Sequence, residues 1–474
     1  MTIWTPDLSQ RTGPKYQAIA DALARDIAEG VLPADTRLPT HRDLAWRLGV
    51  TVGTVSRAYA LAQSRGLIAG EVGRGTRVLP IKPAQSRSAA EELLATTVPA
   101  LFPAVERGSI EMSRNYPVDA QTDAVIAAGL RRLADSRLLG QLGGYQPPSG
   151  TAVQRQAAAS WLSWCGVDTA PESVIVTNGC QHALWLAFTA LAKPGETILT
   201  EDLTWPGTLR LAETVGLRVH PVAMDEDGML PDALEDACCT ARPRLIYTIP
   251  TQQNPTAGVM PEARRQEIAD IARRHSVTIV EDGVFEFLPA DAPVPIAALA
   301  PDITVHATGL SKAVSPALRT GFLVGPAAMA AGFASIIQAT TIMPPTFGAQ
   351  LSADLILSGA AMEAAKRQRA IAAERKRMAA RILGDRIGPA HENASQVWLH
   401  LPEPWDSRSF SNEALSRGVA VTPGDAFRVN SHAADPRAVR VCLCAEADNG
   451  RIEKGLDIVA GLIASHPAAS TPIV

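Results

Sequence analysis

None of the six cysteines, Cys165, Cys180, Cys238, Cys239, Cys442 and Cys444, forms a CxxC pair. Paired cysteines are what a zinc finger or ribbon needs, so no metal site is expected. The thiols suit a reducing, cytoplasmic setting. No apolar run reaches the roughly 18 residues of a membrane span. The opening MTIWTPDLSQ has no basic stretch followed by an apolar core, so no secretory leader is expected. Strong net charge is missing too: the formal value is -4 over 474 residues, which alone argues against a nucleic-acid partner. The charge is uneven, however. Residues 14–79 carry nine Lys and Arg against six Asp and Glu, a balance of +3, while residues 80–474 carry -7. At this length about three domains are the prior.

The basic segment has internal order. Tyr16, Ile19, Ala20, Leu23 and Ile27 recur at helical spacing within Pro14–Glu29, and Gly30 ends that helix. Thr40, with Asp43 three residues on, opens a short helix as a capping box does. Leu44, Ala45 and Leu48 form its inner face, and Gly49 closes it. Thr51 caps a further helix with Val52, Val55, Tyr59 and Ala62 inward. Its outer positions, Gly53, Thr54, Ser56 and Arg57, are small, hydroxylic or basic. Two helices on a tight glycine-containing turn make a helix-turn-helix, and an outer face without acids suits a major groove. Leu67–Val78 then alternates around Gly73-Arg74-Gly75-Thr76, a hairpin whose tip can approach a phosphate backbone.

These runs, LPTHRDLA at 38–45, GVT at 49–51, GLI at 66–68 and GRGT at 73–76, closely resemble the winged helix-turn-helix of GntR-type regulators. The resemblance covers residues 15–79. It implies that Arg42, Thr51, Thr54, Arg57 and Arg74 lie near double-stranded DNA. Arg57 could read a guanine edge, and the others would position phosphates. Residues 80–109, rich in Ala, Pro and Ser, read as a linker with one helical turn around Glu91–Leu94.

Beyond the linker, short apolar runs alternate with helical ones. They are Val174–Thr177, Thr197–Thr200, Arg218–Ala223, Leu245–Ile249, Thr278–Val280, Ile303–Val305 and Phe322–Val324. That alternation predicts an α/β domain with a mainly parallel sheet, which binds ligands at the carboxyl ends of its strands. The residues placed there form one chemical set. Lys312 offers an amine that can form a Schiff base, and Arg319 a guanidinium that forks onto phosphate. The amides of Cys180 and Gln181 open a helix and can cradle a phosphate. Trp205 offers a flat face for a ring, and Asn254 can donate to a ring hydroxyl. Asp282 can hold a pyridinium nitrogen protonated. Singly, Trp205 fits a core residue, Asn254 a turn and Asp282 a helix cap. Jointly they meet the needs of pyridoxal 5'-phosphate (PLP).

With NPTAG at 254–258, ED at 281–282 and SKAVSPALRTGF at 311–322, residues 110–465 resemble the fold-type I aminotransferases. By that resemblance Lys312 is the Schiff-base lysine, Asp282 the pyridine partner, Asn254 the ring-hydroxyl donor and Trp205 the stacking aromatic. Cys180, Gln181 and Arg319 bind phosphate. Tyr145 matches a tyrosine that crosses a dimer interface toward the phosphate, and Arg440 the arginine that receives an α-carboxylate. Three positions depart from the family. Phe285 stands where a tyrosine usually touches the ring oxygen, and Gly309 where a serine usually binds phosphate, leaving Thr308 or Ser311 to substitute. Cys180 replaces a commoner Ser or Ala. The first two count against efficient transamination.

The expected organisation is therefore a DNA-binding domain over 1–79, a linker over 80–109 and a PLP domain over 110–474. A small C-terminal part of that domain would span about 385–474, and the basic helix near residues 360–384 would link its two parts as a solvated element. This is the architecture of MocR-type GntR regulators. It implies a cytoplasmic, homodimeric regulator that senses PLP or a small amino compound. The competing expectation is a working aminotransferase with an accessory DNA-binding domain.

Overall fold

The computed structural model describes residues 4–6, 15–28, 30–64, 67–71, 75–79, 108–136 and 138–465. The chain divides into two compact units, Met1–Val98 and Pro99–Val474. The expected wing tip with Arg74, and the expected helical turn around Glu91–Leu94, lie outside the described residues.

The first unit contains α1 (Lys15–Ala28), α2 (His41–Leu48), α3 (Val52–Ser64), β1 (Ile68–Glu71) and β2 (Gly75–Val78). Thr40 caps α2: its hydroxyl accepts from the Asp43 amide at 3.2 Å and donates to the Asp43 carboxylate at 2.6 Å. Gly49 ends α2 in the left-handed region, at φ 60°, which costs glycine nothing. The two strands pair antiparallel, with Ile68 opposite Val78. Ile19, Leu23, Leu44, Val55, Tyr59, Ile68 and Val78 share one core. Val52 departs from the expected inward face and is 44% exposed. It is the first residue of α3, ahead of the turn that packs, and Ala58 is the additional buried residue of the inner face.

The second unit is built on a seven-stranded sheet. Its strands are β3 (Val174–Thr177), β4 (Thr197–Glu201), β5 (Arg218–Val222), β6 (Leu245–Thr248), β7 (Thr278–Asp282), β8 (Thr304–Gly309) and β9 (Gly321–Val324). The spatial order is β3-β9-β8-β7-β6-β4-β5. All pairings are parallel except those of β9, which runs antiparallel to both neighbours. The central strands are almost entirely buried because helices cover both faces. Packed cores on the two sides hold Phe188, Leu323 and Phe333 in one case and Leu199, Ile246 and Ile268 in the other.

A smaller three-stranded sheet joins β10 (Gln396–His400), β11 (Thr422–Pro423) and β12 (Ala438–Cys442) in the order β10-β12-β11. Val419–Ala420 pairs instead, in parallel, with Ile110–Glu111. The 24-residue helix Ala360–Leu383 is less solvated than its composition suggests. Arg375 is buried and donates to the carbonyls of Leu443 and Ala447 and to Asn449 Oδ1. Arg367 binds Asp119 at 2.6 Å. Several of its basic groups therefore serve as internal ties. No helix among the described residues is long and apolar enough to cross a membrane.

Candidate functional site

In the second unit, a cavity of about 460 Å³ opens at the carboxyl edge of the sheet. Its walls come from successive strand ends. Cys180 and Gln181 follow β3, Trp205 follows β4, Asn254 follows β6, Asp282 closes β7, and Ser311, Lys312 and Arg319 follow β8. Arg440, from β12, completes the far wall. Residues as far apart in the chain as Cys180 and Arg319 thus face one space because parallel strands deliver their C-terminal ends to one edge, while Arg440 reaches it from the smaller sheet.

Lys312 lies three residues past β8, and its Nζ donates to the Asn115 carbonyl at 3.0 Å. Burial pulls the ammonium down to about 8, and the nearby Arg440 charge pulls the same way. A substantial neutral fraction near neutrality is what a nucleophilic amine needs. Asp282 is buried, and burial pushes its carboxyl up. Tyr247 Oη donates to it at 2.8 Å, the Val284 amide at 3.1 Å and Cys180 Sγ at 3.6 Å, all favouring the anion. A cationic ring nitrogen would add the charge partner that this buried carboxylate calls for.

Asn254 Oδ1 accepts from Arg440 Nη1 at 2.7 Å, which leaves the amide NH₂ as the donor for a ring hydroxyl. Arg440 is 3% exposed. Its Nη2 donates to the Ser113 carbonyl at 2.6 Å and to Thr422 Oγ1 at 3.3 Å, and its guanidinium lies 4.9 Å from the Phe427 ring centre. A guanidinium fixed on these sides is preorganised for a carboxylate.

The phosphate end is built from α4 (Cys180–Leu191), whose N-cap is Gly179 at φ 83°. Arg319 Nη2 donates to the Asn178 carbonyl at 3.0 Å. A Cβ at residue 179 would lie 2.7 Å from that nitrogen, so glycine lets the guanidinium close on the helix N-terminus. Trp205 N-caps α5 (Pro206–Thr214). Its Nε1 donates to Gln181 Oε1 at 3.4 Å, and Gln181 Nε2 donates to the Gly207 carbonyl at 3.1 Å. Of the two substitutes for the missing serine, Ser311 lines the cavity. The Thr308 hydroxyl is buried and donates to the Gly283 carbonyl at 3.1 Å. Phe285 lines the cavity without a phenol. Tyr145 is not brought in: it is 84% exposed and absent from the lining.

Sequence reasoning missed four contributors: Asn115, Tyr247, Arg114 and Arg210. The segment Ser113–Tyr116 has no periodicity to mark it. Tyr247 sat in plain view inside β6, where a fully buried phenol needs a hydrogen-bond partner. Away from the cavity, Glu235, Cys239 and His275 bring ligand atoms within 4.8 Å, but Glu235 is already held by Arg274 and His275 at 2.5 Å each.

In the first unit, Arg42, Thr51 and Arg57 are exposed and Thr54 is half-buried. Thr51 Oγ1 accepts from the Thr54 amide at 3.2 Å and lies 2.9 Å from its hydroxyl. Thr51 is thus the cap of α3 as well as a candidate phosphate contact.

Residues 108–459 match the model of the aminotransferase class I and II family. The chain belongs to that family. Residues 15–78 match the gntR family of bacterial regulatory proteins, so this member is a GntR-type DNA-binding module fused to an aminotransferase-like domain, the MocR-type arrangement. It is 27% identical to YdeF of Bacillus subtilis, an uncharacterized HTH-type transcriptional regulator, over 97% of this chain and 96% of the relative. It is 28% identical to the probable rhizopine catabolism regulatory protein MocR of Rhizobium meliloti, over 77% of this chain and 76% of the relative. An archaeal alanine:glyoxylate aminotransferase structure superposes with a TM-score of 0.68 at 25% identity, covering 79% of this chain and 93% of that one. Pyridoxal phosphate is the cofactor of this fold, and the amine, carboxylate, amide and guanidinium around the cavity fit it.

Proposed function

We propose that this MocR-type member of the aminotransferase family is a cytoplasmic, homodimeric transcriptional regulator whose aminotransferase-like domain senses PLP or a small amino compound. The observation that carries the reading is one chain that joins a helix-turn-helix with exposed Arg42 and Arg57 to a cavity holding Lys312, Asp282 and Arg440. When bound, PLP supplies an aldehyde that condenses with amines and a ring that withdraws electrons.

The chain's own groups then have distinct tasks. Lys312 would hold the cofactor through its amine, and Asp282, whose anion accepts from Tyr247 and the Val284 amide, would fix the ring nitrogen. Trp205 covers a ring face and Asn254 donates to the ring hydroxyl. Arg319, Ser311 and the amides of Cys180 and Gln181 take the phosphate. Arg440 takes the α-carboxylate of an amino compound. Tyr145 reaches the phosphate of a second copy. On DNA, Arg57 reads a base edge, while Arg42, Thr51, Thr54 and Arg74 position phosphates. For ligand to change DNA binding, it must favour one arrangement of the units over another.

The test is a DNA-shift titration on the intergenic region upstream of the protein's own reading frame, with and without PLP. A specific shift that PLP or an amino compound alters supports the reading, and indifference to both refutes it. The complete lysine, aspartate and arginine set favours a second reading, a working aminotransferase. Multiple-turnover transfer of an amino group to 2-oxoglutarate, with no DNA shift, would establish that instead.

A further inference from the structure

His306 stands on β8 outside the cavity lining, yet its ring touches both ends of the turn that carries two cavity residues. Its Nδ1 lies 3.1 Å from Glu281 Oε2, and its Nε2 lies 2.9 Å from Glu286 Oε2. Between those carboxylates the chain passes through Asp282 and Phe285, both of which line the cavity. Side chains alternate across a strand. Asp282 therefore faces the cavity, while Glu281, opposite His306 in the β7–β8 register, faces the other side of the sheet. Glu281, Glu286 and His306 are all buried.

This arrangement calls for a cation in the middle. Glu281 is an acceptor throughout: the Ile296 amide donates to its Oε1 at 3.0 Å and the Ala297 amide to its Oε2 at 2.8 Å. A ring that faces a carboxylate oxygen at each nitrogen satisfies both only with a proton on each. Burial pulls the imidazolium down, but Glu286 and Glu281 outweigh it and push the group up to about 10. Arg265 also reaches these carboxylates through space, but its N–H groups are spent on backbone carbonyls and Thr251 Oγ1. The turn is shaped to admit the ring. A Cβ at residue 283 would lie 2.6 Å from His306 Cε1 and closer still to Glu286 Oε2, so only glycine fits there. The Gly283 amide donates to the Ala307 carbonyl at 2.8 Å, and the Thr308 hydroxyl donates to the Gly283 carbonyl at 3.1 Å. The turn is thus tied at several points to the strand that ends three residues before Lys312.

Resting on the cofactor reading above, we propose that His306 is a positioning residue: its imidazolium clips Glu281 to Glu286 and so aims the Asp282 carboxylate, carried between them, at the ring nitrogen of PLP. The same cation favours the Asp282 anion through space. Asp282 and Lys312 then keep a fixed relation, because the clip joins the turn of the one to the strand of the other.

The test titrates full-length, cofactor-free protein with PLP and with its 1-deaza analogue, in which a C–H replaces the ring nitrogen, and reads binding by tryptophan fluorescence. Both probes offer the same aldehyde and phosphate, so only PLP registers where Asp282 points. Glu286→Leu removes the far tether and keeps Glu281 and His306 paired. His306→Gln removes the clip itself. Each should weaken PLP roughly tenfold or more, the size of one charge-assisted hydrogen bond, and leave the analogue within about twofold of its wild-type value. Unchanged circular dichroism shows that a variant is folded; should His306→Gln not fold, Glu286→Leu carries the test. Equal loss for the two probes overturns the proposal, since His306 then only supports the cavity wall. Unchanged PLP affinity in folded Glu286→Leu overturns it too. A wild-type protein that binds neither probe, or both equally well, fails before any variant is made and overturns the cofactor reading or the role of Asp282 instead.

Discussion

Lys312 gives the sharpest quantitative test. Burial and the neighbouring Arg440 charge lower its ammonium from 10.5 to about 8. At pH 7.5 an amine titrating near 8 is about 24% neutral, and one titrating near 10.5 about 0.1% neutral. The cavity thus raises the reactive fraction roughly two-hundredfold. The capture rate of PLP by cofactor-free protein should rise with pH below about 8 and level off above it. Stopped-flow absorbance from pH 6.5 to 10 reads this directly, and Lys312→Ala should show no visible band at any pH. A rate that climbs steadily to pH 10 would mean that the amine is solvated, and the argument from burial would be wrong. The stability sign follows from the same shift. The folded pKa is depressed, so the unfolded chain binds the extra proton between pH 8 and 10.5, and stability rises with pH across that window. Below pH 8 the buried ammonium costs about 3 kcal/mol.

Two further outcomes follow from geometry. A Cβ at residue 321 would meet backbone atoms of Gly179 and Cys180 at 2.5 and 2.6 Å, so Gly321→Ala should part β9 from the α4 N-terminus, lower urea stability by about 1–3 kcal/mol and weaken PLP binding; a variant as stable as wild type would contradict that packing. Arg57→Ala should lose about 1–3 kcal/mol at the operator if the guanidinium reads a base, whereas equal loss on random DNA would reduce it to a phosphate contact.

Local pattern carried the sequence far. Thr40, Gly49 and Thr51 set helix ends through capping bonds and φ preferences that depend on a few neighbouring residues, so the helix-turn-helix was legible. Six of the seven strands are buried and read as apolar-rich runs because both faces of the sheet are covered, whereas edge strand β5 buries only Val222. Lys312, Asp282, Asn254 and Arg440 were recognisable from short motifs. Pairing and convergence were not legible. Nothing local announces that β9 runs antiparallel, that Val419–Ala420 leaves the small sheet for Ile110–Glu111, or that the Thr308 hydroxyl turns to Gly283. The patternless segment Ser113–Tyr116 acquires meaning only when its carbonyls meet Arg440 and Lys312 from 327 and 197 residues away. Sequence by itself determined which chemical groups stand at the strand ends. Tertiary structure decided which of them share one desolvated space, because burial and charge proximity are properties of neighbours brought together by the fold.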